Sequence, residues 1–364
     1  MKRLNRAARL ALALTATLAL ALAVSACGGS DSTTGDATAQ GDGGESQTAA
    51  VGLECTETYS AEEMIAYEVP KANDDYSVAL LEVSLAGYYY QAMAYGAQLA
   101  ADEAGVDLTV LGGKGYQDPS QQLTDAQDLI NRGIDGLVLA PVDPRGSAAI
   151  VDNADAKGIP VVNVSTGVEN DKALKLLQDD YEQGQTSARA LIELAPEGGE
   201  GIVMGGPENG EWSNLRVQGF EDELAKHPEF EIAAVTHQDV DPAAGLANFE
   251  SAVQANPDPK WIYSVYAYIL TPESIPSRYS DVPYVTTAYE PLVIGALENG
   301  SIDSTVANDP VAMGKMGVGM LVAQLNGEEV PSGTVCLPNT PLDKSDIGTP
   351  VADFELYPES YEAQ

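Results

Sequence analysis

Residues 131–143 are Asn-Arg-Gly-Ile-Asp-Gly-Leu-Val-Leu-Ala-Pro-Val-Asp, and residues 158–164 are Gly-Ile-Pro-Val-Val-Asn-Val. The first stretch joins a glycine, where a helix stops, to a short apolar run typical of a buried strand. The second starts another strand after Gly-Ile-Pro. Together with their flanks, the two stretches predict a helix at Pro119–Asn131, a strand at Gly136–Ala140, a helix from about Arg145 to Lys157 and a strand at Val161–Val164.

The same alternation continues in both directions along the chain. Upstream, Tyr76–Val83 and Val106–Leu111 are predicted strands on either side of a helix at Tyr88–Ala104. Downstream, the pattern predicts strands at Ile202–Met204, Ile232–Thr236, Trp261–Val265, Val282–Thr286 and Ser304–Ala307, and helices at Trp212–Lys226, Pro242–Gln254, Leu292–Asn299 and Pro310–Leu325. Helix-length connections between strands are typical of parallel sheets covered on both faces. Two such runs predict an α/β protein of two similar Rossmann-like lobes, with a small-molecule cleft beyond the carboxyl ends of the strands.

Length and charge narrow the class of protein. The 364 residues suit two domains, and a hydrophobic fraction of 44% is enough for packed cores. With 55 acidic and 18 basic residues, the formal net charge is -37, which disfavours binding to nucleic acid. This charge favours solubility, with adaptation to high salt or attraction of cationic solutes as the alternatives.

The N-terminus has the three parts of a secretory signal peptide. Basic residues precede an apolar run at Leu10–Ala23, and small residues follow it. Val24-Ser25-Ala26-Cys27 resembles a bacterial lipobox, so residues 1–26 are expected to be removed and Cys27 to be lipidated. Residues 27–50 then form a flexible linker, because they are small and polar. The alternative is an ordinary signal peptide with a cysteine at its cleavage site.

Cysteine and histidine are scarce. After Cys27 only Cys55 and Cys336 remain, and an oxidising compartment favours a disulfide between them over two free thiols. His227 and His237 have no obvious catalytic partners, and the few Cys and His residues match no metal-ligand spacing. The sequence therefore predicts no metal, no cofactor and no enzymatic activity.

Several short stretches, in a fixed order and spacing, carry a family resemblance. They lie at residues 79–84, 95–97, 131–143, 158–162, 216–220 and 299–302. Over about residues 74–330 the chain resembles the type I periplasmic binding proteins of the ribose-binding-like branch, which include sugar ABC transporter lipoproteins. The resemblance implies three crossovers between lobes. It assigns residues 51–178 and about 310–340 to the first lobe, and residues 179–309 and about 341–364 to the second; pairing Cys55 with Cys336 fits that return.

Some loops resemble a second branch more closely, the periplasmic sensor of trimethylamine N-oxide. The matching stretches are Tyr89-Tyr90, Gly115-Tyr116, Val142-Asp143-Pro144, Gly206-Pro207 and Asn308-Asp309-Pro310. That resemblance implies a protein that presents a solute to a sensor kinase.

The candidate ligand-binding residues combine aromatic side chains near predicted strand ends with positions carried over from ribose-type sites. Aromatic faces stack on sugar rings or attract cationic groups. Packing inside a lobe, or a role in a cap or turn, is the alternative for any one of them. The set is Tyr89, Tyr90, Tyr116, Asp143, Ser165, Trp212, Asn214, Tyr266, Tyr289 and Asn308.

The sequence thus predicts a monomeric lipoprotein on the outer face of the cytoplasmic membrane. It is expected to capture a sugar or sugar-like solute in the cleft and to deliver it to an ABC permease by hinge closure. The alternative is a receptor that presents a methylated amine to a sensor kinase.

Overall fold

The computed structural model describes residues 53–363. The expected signal peptide, the lipidated Cys27 and the linker up to residue 50 lie outside the described residues. No helix within residues 53–363 is both long and apolar enough to cross a membrane.

The first sheet has seven strands, which all pair in parallel. Across the sheet their order is β1 (Glu57–Thr58), β12 (Thr334–Leu337), β6 (Leu174–Gln178), β5 (Val161–Ser165), β4 (Gly136–Leu139), β2 (Ser77–Glu82) and β3 (Asp107–Gly112). Along β2, Val78 and Leu80 enter one core, whereas Ala79 and Leu81 enter a second core on the opposite face. Burial on both faces explains why this strand is continuously apolar.

The second sheet has six strands and is parallel except at one edge, where β13 runs antiparallel to β11. Their order is β13 (Pro341–Leu342), β11 (Ser304–Val306), β10 (Tyr284–Thr287), β9 (Trp261–Ser264), β7 (Gly199–Met204) and β8 (Phe230–Thr236). Two parallel α/β lobes confirm the predicted fold class.

Helices cover both sheets. They are α1 (Ala61–Ile65), α2 (Tyr88–Ala104), α3 (Pro119–Arg132), α4 (Ala148–Asp155), α5 (Asp180–Leu194), α6 (Glu211–Leu224), α7 (Pro242–Ala255), α8 (Pro291–Asn299), α9 (Pro310–Asn326) and α10 (Pro350–Asp353). Local signals set many of their ends. The Asp118 carboxylate accepts from the Gln121 backbone N–H at the start of α3, and Gly133 ends that helix at a φ of 82°.

The structure adds elements that the sequence pattern did not predict. Strand β6 and helix α5 fill the interval between Val164 and Ile202, and β12 follows α9. Helix α5 was missed because Gly184, Thr186 and Ser187 lower its helical propensity. Helix α4 begins at Ala148 instead of Arg145, because the preceding residues form a turn in which Ser147 N–H donates to the Asp143 carbonyl, 3.0 Å away.

The chain passes between the sheets from β6 to α5, from β11 to α9 and from β12 to β13. One amide joins the three connections: Gln178 Nε2 donates to the carbonyl oxygens of Ala307 and Pro338, at 2.8 and 3.3 Å. Asn339 Nδ2 donates to the Asp179 carbonyl, 3.0 Å away. The crossovers are therefore hydrogen-bonded to one another as a single hinge.

The end of the chain is divided between the lobes. Strand β13 joins the second sheet and Ala352 enters the core of the second lobe, whereas Phe354 and Tyr361 pack against the core of the first lobe that contains Val78 and Leu80. The expectation that residues 341–364 belong wholly to the second lobe therefore differs from the structure. The physical reason is that aromatic residues after Asp353 find apolar partners on the first lobe.

Each lobe contains one pair of helices in very close contact, and glycines make that contact possible. In the first lobe, Gly96 of α2 and Gly314 of α9 each lie against the backbone of the facing helix. In the second lobe, Gly184 of α5 and Gly219 of α6 do the same. A side chain at any of these positions would overlap main-chain atoms of the facing helix. The two lobes therefore pack one pair of helices in the same way.

A disulfide closes the fold. Cys55 and Cys336 are bonded, and β1 lies beside β12 with Thr58 opposite Cys336. The bond links positions 281 residues apart in sequence, so it holds the start of the described chain against the hinge-side edge of the first lobe.

Replacing both Cys55 and Cys336 with alanine is expected to lower the free energy of unfolding by about 2–4 kcal/mol, because the unfolded chain loses a long closed loop. Urea unfolding followed by circular dichroism measures the change. Reductant should produce a similar loss in the wild type and none in the double variant. Equal midpoints for the oxidised wild type and the double variant would contradict this expectation.

Candidate functional site

A cavity of about 520 Å³ lies between the two lobes, beyond the carboxyl ends of their strands. This volume falls in the range of small-molecule sites. Seven of the ten residues expected from the sequence line it: Tyr89, Tyr90, Tyr116, Ser165, Trp212, Tyr266 and Asn308.

The first lobe contributes a cluster of tyrosines. Gly87, at a φ of 86°, makes the turn from which α2 begins, and the first turn of α2 carries Tyr89 and Tyr90. Their rings meet edge to face at 5.4 Å. Tyr90 Oη donates to Tyr116 Oη at 3.3 Å, and burial raises the pKa of both phenols. The tyrosines are therefore neutral and present ring faces and hydroxyl groups to the cavity.

Ser165 holds one of these rings in place. It ends β5 with a φ of 67°, an uncommon value for a residue with a side chain. Tyr89 Oη donates to Ser165 Oγ at 3.0 Å. The backbone turn at the strand end thus directs the serine hydroxyl toward the tyrosine that lines the cavity.

The second lobe contributes a buried ion pair, Arg216 with Asp180, and both residues line the cavity. Arg216 Nε and Nη2 each lie 2.8 Å from Asp180 Oδ1. Arg216 Nη1 donates to the Val265 carbonyl and to Thr287 Oγ1, at 3.0 and 2.9 Å. Burial raises the pKa of Asp180 and the Arg216 guanidinium opposes that rise. The pair is fixed by two further strand ends, β9 and β10.

Sequence reasoning missed Arg216, because it placed the candidate polar residue of this helix at Asn214. Helix periodicity contained the signal. Trp212 and Arg216 are four residues apart and share a helix face, whereas Asn214 points away from that face. In the structure, Arg216 Cζ lies 4.8 Å from the centre of the Trp212 ring.

Three of the expected residues do not line the cavity. Asp143 is exposed and its carboxylate accepts from the Gly146 backbone N–H, as a turn residue does. Asn214 is also exposed, and its Nδ2 donates to the Glu208 carbonyl, 2.9 Å away. Tyr289 is buried in the hydrophobic core of the second lobe. Asp143 therefore stabilises a turn, Asn214 lies on the surface and Tyr289 packs inside a lobe.

Besides Asp180 and Arg216, six further polar or aromatic residues line the cavity without having been in the expected set, and Ser84 and Gln117 of the first lobe are two of them. Gln178 comes from the hinge, Asp239 and Tyr268 from loops of the second lobe, and Lys114 from a loop of the first. In the part of the chain that the structure describes, no group of three or more His, Cys, Asp or Glu residues is placed to hold a metal ion.

Glu290 lies behind the cavity wall. Its side chain is 2% exposed, and its negative charge would raise the pKa of Tyr266 and Tyr268, which line the cavity. Burial raises the pKa of Glu290 to about 8, against the opposing effect of the Tyr266 hydroxyl. The carboxyl is therefore protonated in the folded protein at neutral pH.

This raised pKa predicts how stability depends on pH. The folded protein retains a proton on Glu290 that the unfolded chain releases near its ordinary pKa of 4.5. The free energy of unfolding should therefore fall as pH rises from about 4.5 to about 8. Glu290→Gln should reduce the decrease in melting temperature between pH 5 and pH 8.5, because the amide stays neutral. Glu298→Gln, on the exposed face of α8, is the control; equal pH profiles for both variants would contradict the assignment.

Comparison with known proteins gives consistent matches. A family model described as a periplasmic binding protein domain matches residues 78–329. The ribose import binding protein of Bacillus subtilis is 23% identical over 262 residues, which cover 70% of this chain and 84% of the relative. The D-allose-binding periplasmic protein of Escherichia coli is 24% identical over 71% of this chain and 86% of the relative.

Solved structures show the same fold. The substrate-binding protein of a sugar ABC transport system from Bordetella parapertussis superposes with a TM-score of 0.75 at 22% identity, covering 82% of this chain and 99% of that one. A solute-binding protein from Burkholderia graminis, in complex with D-arabinose, superposes with a TM-score of 0.70 at 23% identity, covering 77% and 99%.

Proposed function

Because this chain belongs to the periplasmic binding protein family, we propose that it captures a sugar in the interlobe cavity and delivers it to an ABC permease. Members of this family bind solutes outside the cytoplasm and are not enzymes. The observation that carries the proposal is that aromatic rings from both lobes face one cavity beside the buried Asp180–Arg216 pair.

The cavity offers the two kinds of contact that a sugar needs. Tyr89 and Tyr90 on one lobe, and Trp212 and Tyr266 on the other, present ring faces that can stack on the C–H faces of a pyranose or furanose. Both short contacts of Arg216 go to Asp180 Oδ1, which leaves Asp180 Oδ2 to accept from a sugar hydroxyl. Relatives that bind ribose, allose and arabinose support this class of ligand.

Ligand capture by hinge closure follows from the placement of these groups. A sugar that contacts tyrosines on the first lobe and Asp180 on the second stabilises the arrangement in which both are close. The hydrogen-bonded crossovers around Gln178 provide the pivot. The closed form then presents a composite surface of both lobes to the permease.

The relatives described above are import proteins, so they do not favour the alternative of a methylated amine presented to a sensor kinase. The lipid anchor rests on the sequence Val24–Cys27 alone, and a monomer is the expected state.

Cys27→Ser should release the protein from the membrane fraction into the medium or soluble fraction if lipidation at Cys27 is what retains it.

A thermal-shift screen tests the ligand class. The panel contains D-ribose, D-allose, D-arabinose and xylitol, with trimethylamine N-oxide and glycine betaine for the alternative. A ligand at about 100 times its Kd adds roughly 2.7 kcal/mol and raises the melting temperature by several degrees. Trp212→Ala should abolish the shift, whereas Asn214→Ala, an exposed neighbour on α6, should retain it. A shift only with methylated amines would overturn the sugar proposal.

A further inference from the structure

Residues 354–363, named here the C-terminal strap, lie along the boundary between the two lobes and outside the range matched by the family model. Leu356 packs against the core of the second lobe, as does Ala352 just before the strap. Phe354 and Tyr361 pack against the core of the first lobe. The strap therefore touches both lobes and forms a link beyond the three crossovers.

Aromatic contacts attach the strap to the helix that carries the cavity tyrosines. The rings of Tyr357 and Tyr88 lie 4.5 Å apart, and those of Tyr361 and Tyr95 lie 5.1 Å apart. Ala363 N–H donates to Gln91 Oε1 at 2.8 Å. Tyr88 is the first residue of α2 and directly precedes Tyr89 and Tyr90, which line the cavity. The strap thus supports the first turn of α2 through Tyr88, which does not itself line the cavity.

A second attachment lies at the start of α9. The N-cap residue Asp309 makes no side-chain cap, and the strap supplies one instead: Glu355 Oε2 accepts from the Val311 backbone N–H at 3.0 Å. Glu355 is 1% exposed. Its burial and the neighbouring Asp309 carboxyl both raise the pKa of Glu355. Asn308, which lines the cavity, immediately precedes this turn.

We propose that the strap is a positioning element of the ligand site, which holds Tyr89, Tyr90 and Asn308 in place and favours the arrangement of the lobes seen in this structure, here called the closed arrangement. Tyr357 and Glu355 are its positioning residues. Because neighbouring strap residues pack on opposite lobes, rotation of one lobe away from the other must break one set of contacts. The strap therefore raises the closed fraction even in the ligand-free protein, and its effect on sugar affinity rests on the proposed function.

Hydrogen exchange on the ligand-free protein tests the strap without any sugar. Tyr357→Ala should increase amide exchange in residues 88–96 by about tenfold or more, because the first turn of α2 loses its support. Tyr357→Phe keeps the ring and should restore wild-type exchange. Glu359→Ala, an exposed strap residue, is the matched control. Exchange in α3 should be unchanged in all variants. Equal exchange in residues 88–96 for Tyr357→Ala and the wild type would overturn the proposal.

The hydrogen bond from the Val311 backbone N–H to Glu355 provides a second pair of variants, which tests the strap if Tyr357→Ala fails to fold. Glu355→Ala should increase exchange at the start of α9, whereas Glu355→Gln, which keeps an acceptor oxygen, should not. Small-angle scattering should show a larger radius of gyration for ligand-free Glu355→Ala than for Glu355→Gln. Equal exchange at the start of α9 and equal radii of gyration for the two variants would overturn the proposal that the strap positions the ligand site.

Titration with D-ribose then separates the two proposals. If the wild type binds D-ribose, Tyr357→Ala should raise the Kd by about tenfold, and Tyr357→Phe should not. An unchanged Kd in Tyr357→Ala would overturn the positioning role. If the wild type binds none of the sugars in the thermal-shift panel while the exchange result holds, the strap is supported and the proposal of a sugar ligand alone fails.

Discussion

Replacing Arg216 with alanine is expected to destabilise the protein by about 3–5 kcal/mol, the usual cost of leaving a buried charge without its partner. Asp180 would remain buried in the cavity wall, and the Val265 carbonyl and Thr287 Oγ1 would each lose the hydrogen bond from Arg216, which leaves only the bond that Thr287 Oγ1 donates to Val265. Urea unfolding followed by circular dichroism measures the loss. Arg216→Lys should recover only part of it, because an ammonium cannot reproduce the guanidinium contacts with Asp180, Val265 and Thr287 together.

The same substitution should weaken ligand binding. Without Arg216, nothing opposes the burial that raises the pKa of Asp180, and its carboxylate loses the group that holds it in place, so a sugar hydroxyl has a weaker acceptor and the Kd should rise by about 100-fold, or about 2.7 kcal/mol. Calorimetric titration with the sugar identified in the thermal-shift screen measures this. Arg145→Ala is the matched control, because Arg145 pairs with Glu169 at a site where the two side chains are 84% and 54% exposed. That control should leave the free energy of unfolding nearly unchanged and the Kd unchanged. Equal effects of the two alanine variants would show that Arg216 acts as an ordinary surface residue.

Gly314→Ala should be the most disruptive change of a small residue in the first lobe. An added methyl carbon would overlap the Met93 carbonyl oxygen and lie 2.7 Å from the Ala97 backbone nitrogen. Main-chain atoms of a packed helix cannot move aside as a flexible side chain can, so α2 and α9 must separate. We expect a loss of about 3 kcal/mol in the free energy of unfolding, at the upper end of the overpacking range. Thermal and urea unfolding measure it.

Gly295→Ala is the control for Gly314→Ala. Gly295 lies inside α8, and no heavy atom lies within 4 Å of a methyl carbon added there. Alanine favours the helix over glycine by about 0.8–1.0 kcal/mol, so this variant should be slightly more stable than the wild type. If Gly314→Ala were as stable as Gly295→Ala, the close approach of α2 and α9 would be wrong.

Local sequence patterns determined the fold class of this protein. The alternation of apolar strands with amphipathic segments, and glycine at helix ends such as Gly105 and Gly133, correctly indicated two parallel α/β lobes. The gathering of Tyr89, Tyr90, Trp212 and Tyr266 around one cavity also follows from the sequence. Carboxyl ends of parallel strands lie at one edge of a sheet, wherever the strands occur in the chain.

Those patterns did not reveal some elements, because residues in them are chosen for contact with a neighbouring helix and not for helix propensity. Gly184 in α5 weakens the helical signal, yet the close contact with α6 requires a residue without a side chain. Likewise Tyr289 is an aromatic residue near a strand end, as the cavity tyrosines are, but it is buried in the core of the second lobe. The spacing of apolar and small residues indicates which face of an element is buried, but it does not indicate which other element that face contacts.

The sequence by itself therefore determined the two lobes, the cavity between them and most of its aromatic lining. Only the tertiary structure decided that Arg216, and not Asn214, joins Asp180 in the cavity wall, and that residues 354–363 lie across both lobes. Both outcomes depend on contacts between segments far apart in the chain. The free energy of such contacts comes from burial and from buried charge, which local propensity does not encode.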